Sequence, residues 1–323
     1  MSIAIIAAGL VTPAGLTVSA NARRIRSGTP MEPDRSGLSL NCESFARAET
    51  FDLERRLRNP KNIKFMSRAV QLAVYAALDA VEAGGLALDA VDRSRFAVHT
   101  ASGETGLENE EFFGAYALAW RDREPDFKYL DVRASKLVDP YFSLRTLTNA
   151  GSGLIAMELG LHGTSCHFIH GETSGAQALE AACEDLAGGR CDLALCGAYD
   201  CLGGAAAYTA YAGRGFARPR GPLLLGEGAA FFVLERTEDA GRRSARILAE
   251  VLAVDVRAGA GAAPAAPAAY TVERGRYSPA TGYLGAATAL AELAAGLELA
   301  PRGALAAFHS EAWCGSSAAI TVR

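Results

Sequence analysis

Short apolar runs alternate in this chain with stretches whose apolar residues recur every three to four positions, and that alternation limits its folds most. The runs "CDLALCGA" (191–198) and "AAFFVLER" (229–236) show no regular apolar/polar alternation, which predicts strands buried on both faces. Residues 2–8 form a third such run ending in a Gly/Pro turn, and "RFAVHTASG" (95–103) forms a fourth. Val70, Val74, Ala77, Leu78 and Val81 fall at helical spacing and stop at "GGL"; Ala176, Leu179, Ala182, Cys183 and Leu186 do the same before "GGR". "TVSANARRIRSG" (17–28) reads as a short helix closed by Gly28. "RILAEVLAVDV" (246–256) predicts a further buried strand, "GAATALAELAAGLEL" (285–299) a late helix, and "SAAITVR" (317–323) a last strand. Strands and helices in turn point to an α/β fold.

The chain has 323 residues, half of them apolar, enough for one large core or two that share a sheet system. A net charge of -4 argues against a nucleic-acid or anionic-membrane surface, since either favours a basic excess. The N-terminus is apolar but lacks a charged leader segment, and no apolar run reaches the roughly 20 residues of a membrane span. A cytoplasmic protein is expected, with no membrane partner. Seven cysteines are an odd number for a disulfide framework, and the five-residue spacing of Cys191, Cys196 and Cys201 does not suit a zinc knuckle. His167 and His170, three apart on a predicted strand, face opposite ways and make no metal pair. Neither a G-x-S-x-G elbow nor a nucleotide-binding glycine motif is present, so no metal and no cofactor is expected.

Two stretches lie outside the regular alternation. "LENEEFFGAYALAW" (107–120) reads as an acidic helix, and Phe112, Phe113, Tyr116 and Trp120 give it more aromatic surface than a free helix would carry. "RAGAGAAPAAPAA" (257–269) is of low complexity and reads as a mobile connection without specific packing.

Four segments, in order, resemble the β-ketoacyl synthase family of the thiolase superfamily. They are "AAGLVTPAGLTVSANARRIRSG" (7–28), "LTNAGSGLIAMELGLHGTSC" (147–166), "LLLGEGAAFFVLER" (223–236) and "LGAATALAEL" (284–293). The resemblance implies a thiolase-like α/β fold: two similar βαβ halves stacked as an αβαβα sandwich and paired into dimers across the first half. Residues 1–256 would form that half with its dimer elements, 257–276 a connection, and 277–323 a trimmed second half. Family members place a cysteine at a strand-to-helix elbow, where the helix N-terminus favours the thiolate. Two histidines and a lysine serve it.

Aligned without gaps, "ETSGAQAL" puts Glu172 at the nucleophile position, with Ser174 and Gly175 fitting the flanks. The loop of the first histidine has no counterpart between Val256 and Tyr277. The second histidine position falls on Gly282, or on Tyr283 if shifted by one, and the lysine position on Tyr277. "HSEAWCGSS" (309–317) stands where the family has a Gly-Phe-Gly-Gly gate, with Glu311 and Trp313 at its two phenylalanines. A carboxylate is a weaker nucleophile than a thiolate toward a thioester, so no catalytic residue is expected. Glu172 would lie at an interface or hold the inert elbow in shape.

This pattern is similar to that of the chain-length factors of type II polyketide synthases. They form a heterodimer with an active ketosynthase, meet the acyl carrier protein through that complex, and shape the elongation tunnel. Two departures stand out: the familiar replacement there is glutamine, and this second half is short, which suits reducing systems that make polyenes. The resemblance puts tunnel residues on the helix after "ASGETG", where Glu108, Phe112 and Ala115 share one side. Two other readings stay open: a Glu172-dependent decarboxylase or acyltransferase, and a stand-alone carrier-protein binding module.

Overall fold

A computed structural model describes residues 2–34, 45–103, 115, 117, 120–121, 124–126, 128, 135–204, 207, 210–211, 224–273, 275–312 and 315–323. Strands are numbered along the chain. The first half of the main sheet holds β1 (Ile3–Val11), β2 (Phe96–Ser102), β5 (Ser165–Phe168), β6 (Leu193–Cys201) and β7 (Glu227–Arg236). Its second half holds β8 (Ala249–Arg257), β9 (Tyr270–Val272), β10 (Ala306–Glu311) and β11 (Ser317–Val322). The short strands β3 (Trp120–Arg121) and β4 (Glu124–Pro125) pair separately. The main sheet runs β5-β2-β6-β7-β1-β8-β11-β10-β9.

The two halves repeat one pattern. Outward from β1, the pairings with β7 and then β6 are antiparallel, and those on to β2 and β5 are parallel. Outward from β8, the pairings with β11 and then β10 are antiparallel, and that with β9 is parallel. Among the described residues, the second half lacks a counterpart of β5. β1 and β8 pair only over Ile3–Ile5 and then part, so the sheet forks.

The helices of ten residues or more among the described residues are α1 (Val18–Ser27), α2 (Arg68–Ala83), α3 (Ala150–Leu159), α4 (Ser174–Ala187) and α5 (Thr288–Leu299). α4 and α5 fill the fork: α4 touches β2 and β6 on one side and β8 and β11 on the other, while α5 touches β1, β7 and β10. α2 and α3 cover the opposite face of the first half. Alternate residues of each buried strand therefore serve different layers. Ile3, Ile5, Cys196, Phe232 and Leu234 pack inward on α4 and α5; Ala4, Ile6, Leu195, Phe231 and Val233 pack outward on α2 and α3. Both faces being apolar, the strands read as unbroken runs.

Local signals set the helix ends. Ser67 Oγ accepts from Val70 N at the start of α2, and Thr17 Oγ1 from Ala20 N at the start of α1, which Gly28 closes at φ 65°. Gly9 lets α2 lie directly on β1, since a Cβ there would be 2.1 Å from the Ala76 carbonyl oxygen. Glu227, from the "GEG" stretch, is fully buried, and Arg68 at the head of α2 binds it with Nη2 at 2.7 Å and Nε at 3.1 Å. Ala48 N donates to the same carboxylate at 3.1 Å.

Several sequence expectations change here. The 257–269 stretch is laid across the outer face of the second half, where Ala262 N donates to Ser317 Oγ, Ala263 N to Asp255 Oδ2 and Ala265 N to Thr321 Oγ1, each at 3.0 Å. It is a strap fixed by side chains of the sheet, whose own alanines could not signal this. The 257–276 connection also contains β9, and β8, read from sequence with the first segment, opens the second half of the sheet. β8 is fully buried only in places, with Leu252 40% exposed. Trp120 lies in β3 and is exposed, so the 107–120 helix does not extend to it. His170 lies beyond the end of β5, so the two histidines do not share a strand. No helix among the described residues is long and apolar enough to cross a membrane.

Candidate functional site

The chain leaves β5 at Phe168 and enters α4 through a tight elbow at Gly171, φ 63°. Ser174 locks the turn: its Oγ accepts from His170 N at 2.6 Å and donates to the Gly171 carbonyl at 2.7 Å. Glu172 sits inside this elbow with no exposed surface. Tyr283 Oη donates a hydrogen bond to Glu172 Oε1.

Tyr283 comes from the equivalent loop of the second half, the one leading into α5. Tyr283 N donates to the Leu224 carbonyl and its own carbonyl accepts from Gly226 N, both at 2.8 Å, so the loop is stitched to the "GEG" segment. Gly282 has φ 73°, and a Cβ there would lie 2.7 Å from the Ala46 Cβ. Of the two positions read from sequence, the structure therefore brings Tyr283, not Gly282, to Glu172. Tyr277 belongs elsewhere. Its side chain is in the inner core, its hydroxyl meets that of Tyr270 at 2.5 Å, and burial pushes its phenol pKa up.

Asp200, at the end of β6, was not singled out from sequence. It is 1% exposed and takes Ala286 N on Oδ2 at 3.1 Å and Cys201 N on Oδ1 at 3.0 Å. Burial pushes its pKa up to about 7, with the Glu172 charge adding to the rise and the two N–H donors opposing it. The available signal was an acid closing an otherwise apolar strand. Gly285 makes the close approach possible: at φ 54°, its absent Cβ would fall 2.3 Å from Asp200 Oδ2. Tyr211 stacks edge-on against Tyr283 with centroids 5.7 Å apart.

The gate-like segment is the β10–β11 turn. Glu311 ends β10 exposed, opposite Ser317, and Ser316 Oγ meets Thr173 Oγ1 of the elbow at 2.9 Å. Ala115 is buried; Glu108, Phe112 and Trp313 lie outside the described residues. His167 lies between Thr100 Oγ1 (2.7 Å) and Ser102 Oγ (3.1 Å), and burial lowers its pKa to about 4, leaving it neutral. Among the described residues no group of three or more His, Cys, Asp or Glu is placed to hold a metal ion. The centre is thus a buried carboxylate fixed by a phenol, with a second acid beside it.

Comparison with known proteins bears on this geometry. The chain is 31% identical over 254 residues to the granaticin polyketide β-ketoacyl synthase 1 of Streptomyces violaceoruber, covering 73% of this chain and 56% of that protein. It is 34% identical over 220 residues to the tetracenomycin polyketide synthase ketoacyl synthase alpha subunit of Streptomyces glaucescens, covering 62% and 49%. The chain spans about half the length of these curated relatives. Its thiolase-like fold matches a ketosynthase solved with a type II polyketide synthase acyl-carrier protein and bound to the hexaketide, at TM-score 0.79, 16% identity and 99% coverage of both chains. It also matches the ishigamide ketosynthase/chain length factor, at TM-score 0.76, 20% identity, and coverage of 100% of this chain and 99% of that one. The β-ketoacyl synthase N-terminal domain matches residues 1–240, and the chain belongs to that family.

Proposed function

We propose that this chain is a chain-length factor, the non-catalytic member of a ketosynthase heterodimer, which shapes the tunnel in which a polyketide or polyene is elongated on an acyl carrier protein. The observation that carries this reading is Glu172, buried at the elbow and tied by Tyr283 to the loop opposite. The surface supports it too. Among the described residues β5 is the last strand of its side of the main sheet, with Ser165 and Cys166 exposed and Ile169 following it 38% exposed; Leu147 and Met157 are 52% and 51% exposed. An open strand edge beside apolar side chains favours a partner.

The test is co-expression with a ketosynthase that retains its cysteine and histidines, followed by size-exclusion chromatography and an elongation assay of wild type and Glu172→Gln. A 1:1 complex with equal elongation is the expected result. Phe112→Ala in that complex should lengthen the products, and an unchanged product profile would remove Phe112 from the tunnel. A second reading draws on Asp200, whose raised pKa puts a proton-holding acid beside Glu172. A chain that stays alone and turns over an acyl or malonyl thioester, with the activity lost in Glu172→Gln, would make it a decarboxylase or acyltransferase.

A further inference from the structure

Asp200 ties three parts of the chain together. Its Oδ2 lies in a slot between two glycines: a Cβ on Gly103, just beyond β2, would be 2.2 Å from it, and one on Gly285, in the loop before α5, 2.3 Å. The same Oδ2 accepts from Ala286 N at 3.1 Å, while Oδ1 takes Cys201 N at 3.0 Å. Three positions before Ala286, Tyr283 donates to Glu172. Residues 283–286 are therefore held at one end by Glu172 and at the other by Asp200, two buried acids of the first half gripping one short stretch of the second.

The groups around Asp200 offer it dipoles. Facing it are Glu172 from the elbow, the Tyr199 phenol on β6, the Cys201 thiol, and Tyr211, whose hydroxyl shares the space at Gly285. Cys201 Sγ donates to Glu227, a carboxylate that Arg68 already binds at 2.7 Å. Arg145 shares a small pocket with Tyr199 and Asp200, but its guanidinium lies 3.5 Å from Asp139 and donates to the Lys64 carbonyl at 3.3 Å. Among the described residues Asp200 is met by two N–H donors and by no ion pair. A charge on it stands buried beside another of the same sign, a cost that either a proton or access to water removes.

We infer that Asp200 is the positioning residue of a proton-gated latch: protonated, it holds residues 283–286 and keeps Tyr283 on Glu172, and loss of its proton frees that stretch to open. Held closed, Asp200 titrates at about 7; once water reaches it, it returns to its ordinary 3.8. Between those values the closed form carries a proton that the open form lacks. Closing therefore weakens about tenfold per pH unit as pH rises from about 4 to about 7, and changes no further above that. The latch is tight in mild acid and slack at neutral pH, and it does not depend on chain-length control.

Amide hydrogen exchange of the intact chain from about pH 5 to about pH 8, corrected for intrinsic rates, tests it. The amides of Tyr283 and Gly226, which bond the carbonyls of Leu224 and Tyr283, should lose protection about tenfold per pH unit up to about pH 7 and then level off. Ala73 in α2, which exchanges through a larger unfolding, should not track them. Asp200→Asn cannot titrate and should give a flat profile at both amides. In Glu172→Gln the neighbouring charge is gone, so the levelling should begin at lower pH. Flat protection in the wild type would overturn the proposal, as would the same slope at Ala73 or an unchanged slope in Asp200→Asn. A Glu172→Gln profile that overlays the wild type would overturn it too, and these two profiles decide the matter by themselves if Asp200→Asn fails to fold.

Discussion

The two halves of the sheet present the same inner face and opposite outer ones. Inside, each lays alternate apolar residues on α4 and α5: Phe232 and Leu234 from the first half, Phe308, Ile320 and Val322 from the second. Outside, the first half is covered by α2 and α3, whereas the second carries a strap of alanine, glycine and proline held, among the described residues, by four hydrogen bonds between its backbone and side chains of the sheet. The loops that meet at Glu172 and Tyr283 spring from the inner layer alone. An outer layer can therefore be trimmed without moving the centre, provided the exposed strand faces find some cover for their polar groups.

The strongest challenge to this contrast is aimed at the first half. Glu227→Ala would leave Arg68 facing a buried site without its anion, and Ala48 N without its acceptor. Breaking such a pair should cost about 3–5 kcal/mol, read by urea unfolding. A loss under about 1 kcal/mol would mean that the α2 layer is no firmer than the strap.

A second test examines titration beside the joint between halves. Asp200 has a folded pKa of about 7 against 3.8, so the folded state holds the extra proton and stability falls as pH rises from about 4 to 7. His167 has a folded pKa of about 4 against 6.5, so the unfolded state holds the extra proton and stability falls as pH drops from 6.5 to 4. The two slopes oppose each other in the wild type. In Asp200→Asn, Tm should drop on acidification through that window, and in His167→Gln it should drop on raising pH. Parallel Tm profiles in the two variants would contradict the assignment.

The smallest effects belong to the strap. Ser317→Ala and Thr321→Val each remove one acceptor of a strap amide and should cost about 0.5–1.5 kcal/mol. Hydrogen exchange sharpens the same point: amides of Ala262, Ala263 and Ala265 should exchange by local opening, while those of Ala73 and Ala76 in α2 wait for a larger unfolding. Equal protection in both would make the strap as cooperative as a helix.

Much of this architecture is legible where a segment carries its own instructions. Thr17 and Gly28 bracket α1, Ser67 starts α2, and the unbroken runs at β6 and β7 announce strands covered on both sides. β9 and β10 do not announce themselves, because their strand character comes from neighbours: β9 is three residues long and exists by pairing with β10. The strap misled for the same reason, since the groups that fix it belong to Ser317, Thr321 and Asp255. At the site, "ETSGAQAL" marks the elbow from its own residues. The choice between Gly282 and Tyr283 turns on a left-handed backbone that no motif spells out. Tyr277 was drawn away by Tyr270, a pairing invisible along the chain.

The exposed edge at β5 has one more consequence, which lies in its sulfur. Burial raises the thiol pKa of Cys183 to about 12 and of Cys191 to about 11, and that of Cys196 well above its usual value, so these stay protonated and sheltered. Among the described cysteines, Cys166 alone is exposed, and it sits on the strand edge that the proposed pairing would cover. If the proposed pairing uses this edge, the rate at which an alkylating reagent consumes that thiol becomes a clock for assembly, running while the edge is bare and stopping once another surface lies against it.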